Sequence, residues 1–150
     1  MQSLLLIIEY ALMGACALFA YTQGGRAERM GAVWFGGNMI VAAAASFSGF
    51  VSPVIQLVED GVFALGLLPL AMIYVSYWMG LLTFIAAALF SLEALYLLND
   101  RPIDTAYIWV NNILWLSAPL VFLVCGAAKY RKNRRAAKKA QQIEAIAVGA

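Results

Sequence analysis

Five polar side chains lie within stretches of this sequence that are otherwise almost entirely apolar: Glu9, Asn38, Glu93, Asn111 and Asn112. A carboxylic acid can bind and release a proton, and an amide can both donate and accept hydrogen bonds beside it. An ionisable group costs about 2.5–3.5 kcal/mol at the centre of a membrane-spanning helix, so each one found there requires an explanation. We treat these five residues as a candidate intramembrane polar cluster.

Three explanations of this cluster are compatible with the sequence. Glu9 and Glu93 could form a shared protonatable site with the Asn amides, as a proton- or cation-coupled transporter or channel requires. Alternatively, Asn111 or Asn112 could hydrogen-bond a protonated Glu and hold helices together. Finally, both acids could reach water, because Glu9 is about 9 Å and Glu93 about 7 Å from the nearer end of its apolar segment.

The amino-acid inventory argues against most enzymatic chemistry. The chain has no histidine, which is the commonest general base and the usual ligand of haem and of many metals. The two cysteines, Cys16 and Cys125, lie in separate apolar segments and form no Cys-x-x-Cys pair, so we expect them to be small buried side chains. We therefore expect no catalytic residues, no metal site and no cofactor.

Composition predicts an all-α membrane protein. Of 150 residues, 64% are hydrophobic and only 12% are charged, whereas soluble domains carry about 25% charged residues. Backbone polar groups inside a bilayer must be satisfied within the chain, and helices achieve this. The expected fold class is a polytopic bundle of transmembrane helices.

The number of helices depends on the apolar stretch at residues 61–98, which contains one acid and no base. It is nearly twice the roughly 20 residues that cross a bilayer as a helix. Trp and Tyr concentrate at membrane interfaces, so the aromatic cluster before Gly80 predicts a turn near Trp78 to Gly80. Five membrane-crossing segments are then expected, at residues 3–21, 31–50, 61–77, 80–98 and 106–127.

An alternative arrangement has four crossing helices. In it, residues 51–68 lie on the membrane or dip into it, and one tilted helix covers residues 69–98. In the five-helix arrangement, by contrast, residues 51–60 form a short surface turn containing Pro53 and two acids.

A basic tail sets the expected orientation. Seven of the ten basic residues lie within eleven positions after the last apolar segment: Lys129, Arg131, Lys132, Arg134, Arg135, Lys138 and Lys139. Basic residues close to a helix end stay cytoplasmic. Residues 1–128 are thus expected to form the transmembrane domain and residues 129–150 a cytoplasmic tail that contacts anionic lipids and prolongs the last helix. Nothing basic precedes the first segment, which argues against a cleaved signal peptide and for the inner (plasma) membrane.

The second apolar segment is rich in small residues, which let helix backbones approach closely in lipid. Its candidate helix-packing positions are Gly36, Gly37, Ala42, Ala45, Ser46 and Gly49. We expect this helix to be buried against its neighbours or to form an oligomer contact.

The sequence supports two hypotheses of function. The first is a small, non-catalytic integral subunit that packs into a larger membrane complex or into a homo-oligomer, with other membrane subunits or copies of itself as partners. The second is the transporter or channel described above. Nucleic acid is not an expected partner, since only Tyr130 accompanies the basic residues as a stacking side chain.

Overall fold

The chain folds into five α-helices and, within the described residues, no strands. The computed structural model describes the backbone of residues 2–49 and 52–149, and the side chains of residues 7–49 and 52–142. The helices are α1 (Gln2–Gln23), α2 (Arg26–Ser48), α3 (Pro53–Tyr74), α4 (Tyr77–Leu98) and α5 (Thr105–Gly149). The predicted all-helical class is confirmed, as is the number of helices.

The helices form a closed ring in which each one packs on its neighbours in the sequence. The most extensive packing joins α3 to α4, and α1 closes the ring by packing against α5 as well as α2. Helix α2 also contacts α4 and α5, so it lies towards the middle of the bundle. Consecutive helices alternate in direction, and α5 extends beyond the other four through the tail.

The core of the bundle is built from apolar side chains of all five helices. Phe35 lies at its centre, and its ring centroid is 5.0 Å from that of Phe122 and 6.0 Å from that of Phe63. These tilted arrangements are favourable for aromatic pairs. Cys16 and Cys125 are both free and buried, as the sequence predicts.

The predicted surface turn at residues 51–60 is wrong from Pro53 onwards, because α3 begins there. The Ser52 hydroxyl accepts a hydrogen bond from the backbone N–H of Ile55 at 3.2 Å, which makes Ser52 the N-cap. Proline is favoured at the first helical position because its missing N–H has no partner there in any case. Ser52 and Pro53 therefore mark the start of α3, and Glu59 and Asp60 lie within this helix.

The predicted turn between the third and fourth segments lies three to four residues earlier than expected. It is formed by Val75, which has left-handed backbone angles (φ 43°) at the end of α3, and by Ser76, which precedes α4. Trp78 and Gly80 therefore belong to the first turn of α4. The alternative with one helix across residues 69–98 is wrong, because the chain reverses at this turn.

Helix α5 continues through the basic tail, as predicted, with no break at residue 128. Most of the tail is exposed, including Arg131, Arg134 and Lys138. A Cβ atom placed on Gly25, in the α1–α2 loop, would lie 3.6 Å from the Lys129 ammonium group. The α1–α2 loop and the start of the tail therefore share one end of the bundle.

Four of the described helices, α2 to α5, are long and apolar enough to cross a membrane. The mean hydropathy of their most apolar windows ranges from 1.4 in α2 to 2.1 in α4. Large apolar side chains cover the outside of the ring, for example Leu65 and Met72 on α3, which are 70% and 73% exposed. This surface suits an apolar surrounding better than water.

The small residues of α2 do not all pack within the chain. Ala42 is buried, whereas a Cβ atom added to Gly36 or Gly37 would meet no described atom within 4 Å. Gly49 is not a packing residue of this chain either: it ends α2 in the left-handed conformation (φ 73°), which glycine adopts without strain, and it also faces open space. Ala45 and Ser46 face the interior at the other side of the helix.

At Gly66, a side chain of α2 lies against the backbone of α3. The Trp34 ring occupies the space that a Cβ atom on Gly66 would need. The ring nitrogen of Trp34 donates a hydrogen bond of 3.1 Å to the backbone oxygen of Phe63. Glycine at this position therefore allows an aromatic side chain of α2 to lie directly on the backbone of α3.

We expect Gly66→Ala to lower the stability of the bundle by about 1–3 kcal/mol, because the added methyl group displaces the Trp34 ring and breaks its hydrogen bond. The matched control is Gly80→Ala, which adds the same group at a glycine of α4 with no described neighbour within 4 Å and should be neutral or slightly stabilising through helix propensity. Thermal unfolding in mild detergent measures the difference. Equal melting temperatures for the two variants would contradict the packing.

Candidate functional site: an acidic cavity

A cavity of about 220 Å³ lies at the end of the ring opposite the basic tail. All five helices contribute to its wall. The polar side chains that line it are Glu9, Tyr10, Ser46, Gln56, Glu59, Asp60, Glu93, Asn111 and Asn112. The remaining lining residues are apolar or aromatic, and none of the described residues in the wall is basic. We call this space the acidic cavity.

Two of its carboxyl groups are removed from solvent. Asp60 on α3 is 4% exposed and Glu93 on α4 is 8% exposed. One oxygen of each, Oδ2 of Asp60 and Oε2 of Glu93, is buried without a hydrogen-bond partner. A buried polar atom without a partner costs free energy, and the cost is larger for a charged group. Such atoms are rare in folded proteins and each one calls for an explanation.

Further unpartnered atoms surround this pair. Glu59 contributes a buried Oε1 and Asn111 a buried Oδ1, neither of which has a hydrogen-bond partner. Glu9 and Asn112 also line the cavity, but both are exposed at its edge. The Asn111 oxygen therefore accepts no hydrogen bond from a carboxylic acid.

The structure thus brings Glu9, Glu93, Asn111 and Asn112 to one cavity, and separates Asn38 from it. Asn38 is half-buried elsewhere on α2, and its amide nitrogen Nδ2 is buried without a partner. This nitrogen therefore makes no hydrogen bond to a neighbouring helix.

Three of the positions assigned to helix packing, Ala42, Ala45 and Ser46, also line the acidic cavity. The hydroxyl groups of Ser46 and Tyr10 lie 3.4 Å apart and connect α2 to α1 at its wall. Ser46 is therefore a small residue that also makes a polar contact with a neighbouring helix.

The apolar core closes the cavity towards the tail end of the bundle. Phe63 follows Asp60 by one helical turn on α3, and it contacts the aromatic cluster of Phe35 and Phe122. Met13, which is 2% exposed, belongs both to the cavity wall and to this core. The polar space therefore ends at a layer of large, tightly packed side chains.

Gln56, Glu59 and Asp60 are not among the site residues predicted from the sequence, because the prediction assigned them to a surface turn. The signal that could have identified them is the Ser52-Pro53 helix start. Once α3 begins at Pro53, positions 56, 59 and 60 follow at helical spacing and share one face. Phe63 and Leu67, which continue that face, are both buried in the core.

The acids are distributed around the wall instead of converging on one point. Among the residues whose side chains the structure describes, no three acids or cysteines lie close enough together to form a metal-binding group. The polar atoms of the acidic cavity include carboxyl and amide oxygens and hydroxyl groups, which can bind a proton, hydrogen-bond water or coordinate a small cation.

Comparison with protein-family models, with curated proteins and with solved structures finds no match to this chain.

We expect Asp60→Asn to raise the stability of the protein at mildly alkaline pH by about 1 kcal/mol or more, because it removes a buried charge that lacks a partner. A gain of 1 kcal/mol corresponds to a rise of about 2–4 °C in melting temperature for a chain of this size. The matched control is Asp100→Asn, at an exposed position, which should change little.

The measurement is thermal unfolding of both variants in the same detergent. A large loss of stability in Asp60→Asn, with none in Asp100→Asn, would mean that the Asp60 carboxylate has a stabilising partner, and would contradict the interpretation of its free oxygen.

Proposed function

We propose that this protein is a small multi-pass membrane protein that carries protons or small monovalent cations, with Asp60 and Glu93 as the binding groups. The observation that supports this most strongly is the burial of both carboxyl groups at one cavity, each with an unpartnered oxygen. Four carboxyl groups line the cavity and no described basic residue accompanies them.

The electrostatics of the acidic cavity favour a positively charged occupant. Several carboxylates in a space of about 220 Å³ repel one another when ionised, and burial disfavours their charged form. Binding a proton or a cation relieves both effects. A stable protein with a purely structural role would gain from replacing such groups by apolar ones, so their presence is better explained by a functional need.

The membrane arrangement that we propose has five crossing helices, including α1. The basic tail and the α1–α2 loop, which share one end of the bundle, face the cytoplasm of a cell whose inner (plasma) membrane holds the protein. The exposed tail residues then lie close to anionic lipid headgroups, each contributing about 1 kcal/mol of attraction. The acidic cavity is placed in the outer half of the membrane, together with the α4–α5 loop.

In proteoliposomes that contain a pH-sensitive dye, an imposed pH gradient should drive proton flux through the wild-type protein. Asp60→Asn and Glu93→Gln should each reduce this flux to the rate of protein-free liposomes, because they remove the protonatable groups while keeping side-chain size. Gradients of Na⁺ and of K⁺ in place of the pH gradient distinguish a metal cation from a proton.

Glu28→Gln serves as the control, because Glu28 lies near Gly25 and Lys129 at the opposite end of the bundle. It should leave the flux unchanged. If Asp60→Asn and Glu93→Gln both transport at the wild-type rate under all three gradients, the proposed function is wrong.

A second candidate function is assembly, either with a second copy of the chain or within a membrane complex. The observation that favours it is the open face of α2, where a Cβ atom added to Gly36 or Gly37 has no described neighbour within 4 Å. Beside Gly36, a groove of about 540 Å³ between α1 and α2 is lined almost entirely by apolar atoms. A helix of a second copy could approach closely at this face.

If α2 forms a contact between copies, Gly36→Leu should convert a dimer or larger oligomer into monomers, because the added side chain prevents close approach of the backbones. Gly80→Leu is the matched control, at a glycine that also faces open space but on α4. Light scattering after size-exclusion chromatography in mild detergent measures the mass. A wild-type protein that is a lone monomer with no co-purifying chain would contradict this candidate.

A further inference from the structure

A second cavity, of about 310 Å³, adjoins the acidic cavity on the side of the α4–α5 loop. The two cavities share two lining residues, Gln56 of α3 and Glu93 of α4. The remaining wall of the second cavity consists of residues from the ends of α3, α4 and α5 and from the loop between α4 and α5, including Tyr96, Arg101 and Tyr107. We call it the loop-side cavity. Glu93 thus faces both spaces.

Hydrogen bonds at the end of α4 fix the backbone at the rim of the loop-side cavity. The N–H of Arg101 donates to the oxygen of Tyr96 at 3.0 Å, and the N–H of Asp100 donates to the oxygen of Leu97 at 3.3 Å. Asp100 adopts the left-handed conformation (φ 46°). This combination is a Schellman motif, which satisfies the last carbonyl groups of α4 and directs the chain away from the helix.

Side-chain contacts hold the other half of the rim. One carboxylate oxygen of Asp104 accepts hydrogen bonds of 2.8 Å from the backbone N–H of Tyr107 and from the hydroxyl of Tyr96. These two hydrogen bonds lower the pKa of Asp104 below its ordinary value, and the bond from the backbone N–H has the larger effect. The rings of Tyr96 and Tyr107 lie 4.8 Å apart, and the Arg101 guanidinium lies 5.6 Å from the Tyr96 ring centre.

These contacts order the loop beside the cavity. Asp104 connects the end of α4 to the start of α5, and the Arg101 guanidinium lies over the Tyr96 ring. The loop-side cavity is therefore an opening with an ordered frame, and Glu93 lies at its inner end.

We infer that the loop-side cavity is the aqueous entrance through which a proton or small cation reaches Glu93 and then Asp60, with Gln56 and Glu93 forming the neck between entrance and binding site. This inference rests on the proposed function and adds the side of access. The path towards the tail end is closed by the packed layer of Phe35, Phe63 and Phe122. The structure is consequently the state of the carrier that is open towards the α4–α5 loop.

Cysteine accessibility tests the entrance directly. The two native cysteines are replaced by alanine (Cys16→Ala and Cys125→Ala), and Gln56→Cys is introduced at the neck. The full-length protein in oriented vesicles is then exposed to membrane-impermeant thiosulfonates, one cationic (trimethylammonium) and one anionic (sulfonate), applied from either side. Protease access to the basic tail reports the orientation of the vesicles.

We expect Gln56→Cys to be modified from the loop side only. The cationic reagent should react about tenfold faster than the anionic one, because a cleft lined by carboxylates concentrates positive ions. Thr105→Cys, at an exposed position in the first turn of α5 that lines neither cavity, calibrates the intrinsic reactivity and should show little preference. Leu65→Cys, on the apolar outer face of α3, should react with neither reagent.

Modification of Gln56→Cys from the tail side only, no modification while Thr105→Cys reacts, or a faster reaction with the anionic reagent would each overturn the inference. Leu97→Cys, which also lines the loop-side cavity, provides a second position if Gln56→Cys does not fold. It should be modified from the same side.

The outcomes separate the entrance from the proposed function. If the cysteine at position 56 reacts as expected while Asp60→Asn and Glu93→Gln leave the flux unchanged, the entrance is right and the proposed function is wrong. If those two substitutions abolish the flux while the cysteine reacts only from the tail side, the function is right and the direction of access is wrong.

Discussion

The structure depends most on how two carboxyl groups are accommodated away from water. Asp60 and Glu93 come from neighbouring helices that pack extensively on each other, and both face one cavity at one end of the bundle. A carboxyl group in such a place must either hold a proton or, if it is ionised, be paired with a cation or a strong hydrogen-bond donor, because the loss of hydration disfavours an unpaired charge. The chemistry that we propose for the protein follows from this constraint.

The two ends of the bundle are built for different purposes. At one end, aromatic and aliphatic side chains around Phe35 and Phe122 pack densely and hold the five helices in a ring. At the other end, the helices are lined by acids, amides and hydroxyl groups, several without partners. The densely packed end provides a rigid framework, so the polar end can retain groups that do not themselves contribute to stability.

The frame around the loop-side cavity shows how a short connection can be ordered without a large core. The α4–α5 loop is held by a helix cap on each side, by the pair of Tyr96 and Tyr107, and by Arg101 over one of these rings. Each contact contributes little free energy, because exposed interactions of this kind are worth about 1 kcal/mol or less. Together they specify one position for the loop beside Glu93.

The helical class, the five helices and the helical continuation of the basic tail could all be predicted from the order of the amino acids. Long apolar segments with few charges are typical of membrane-spanning elements, and an α-helix satisfies the backbone polar groups within each such segment. Helix ends were less predictable. Pro53 looked like part of a turn and is a helix start. The reversal at Val75 lies within the aromatic cluster, between Tyr74 and Tyr77, and not at its end, because local capping decides where a helix ends.

Which polar residues meet became visible only in the folded bundle. Glu9, Asp60 and Glu93 are far apart in the sequence, and they line one cavity because α1 closes the ring against α5 and because α3 begins early enough to include Asp60. Asn38 looked equivalent in the sequence and lies elsewhere. Spacing along one helix fixes which side chains share its face, but the rotation of that face relative to other helices depends on side-chain packing throughout the bundle.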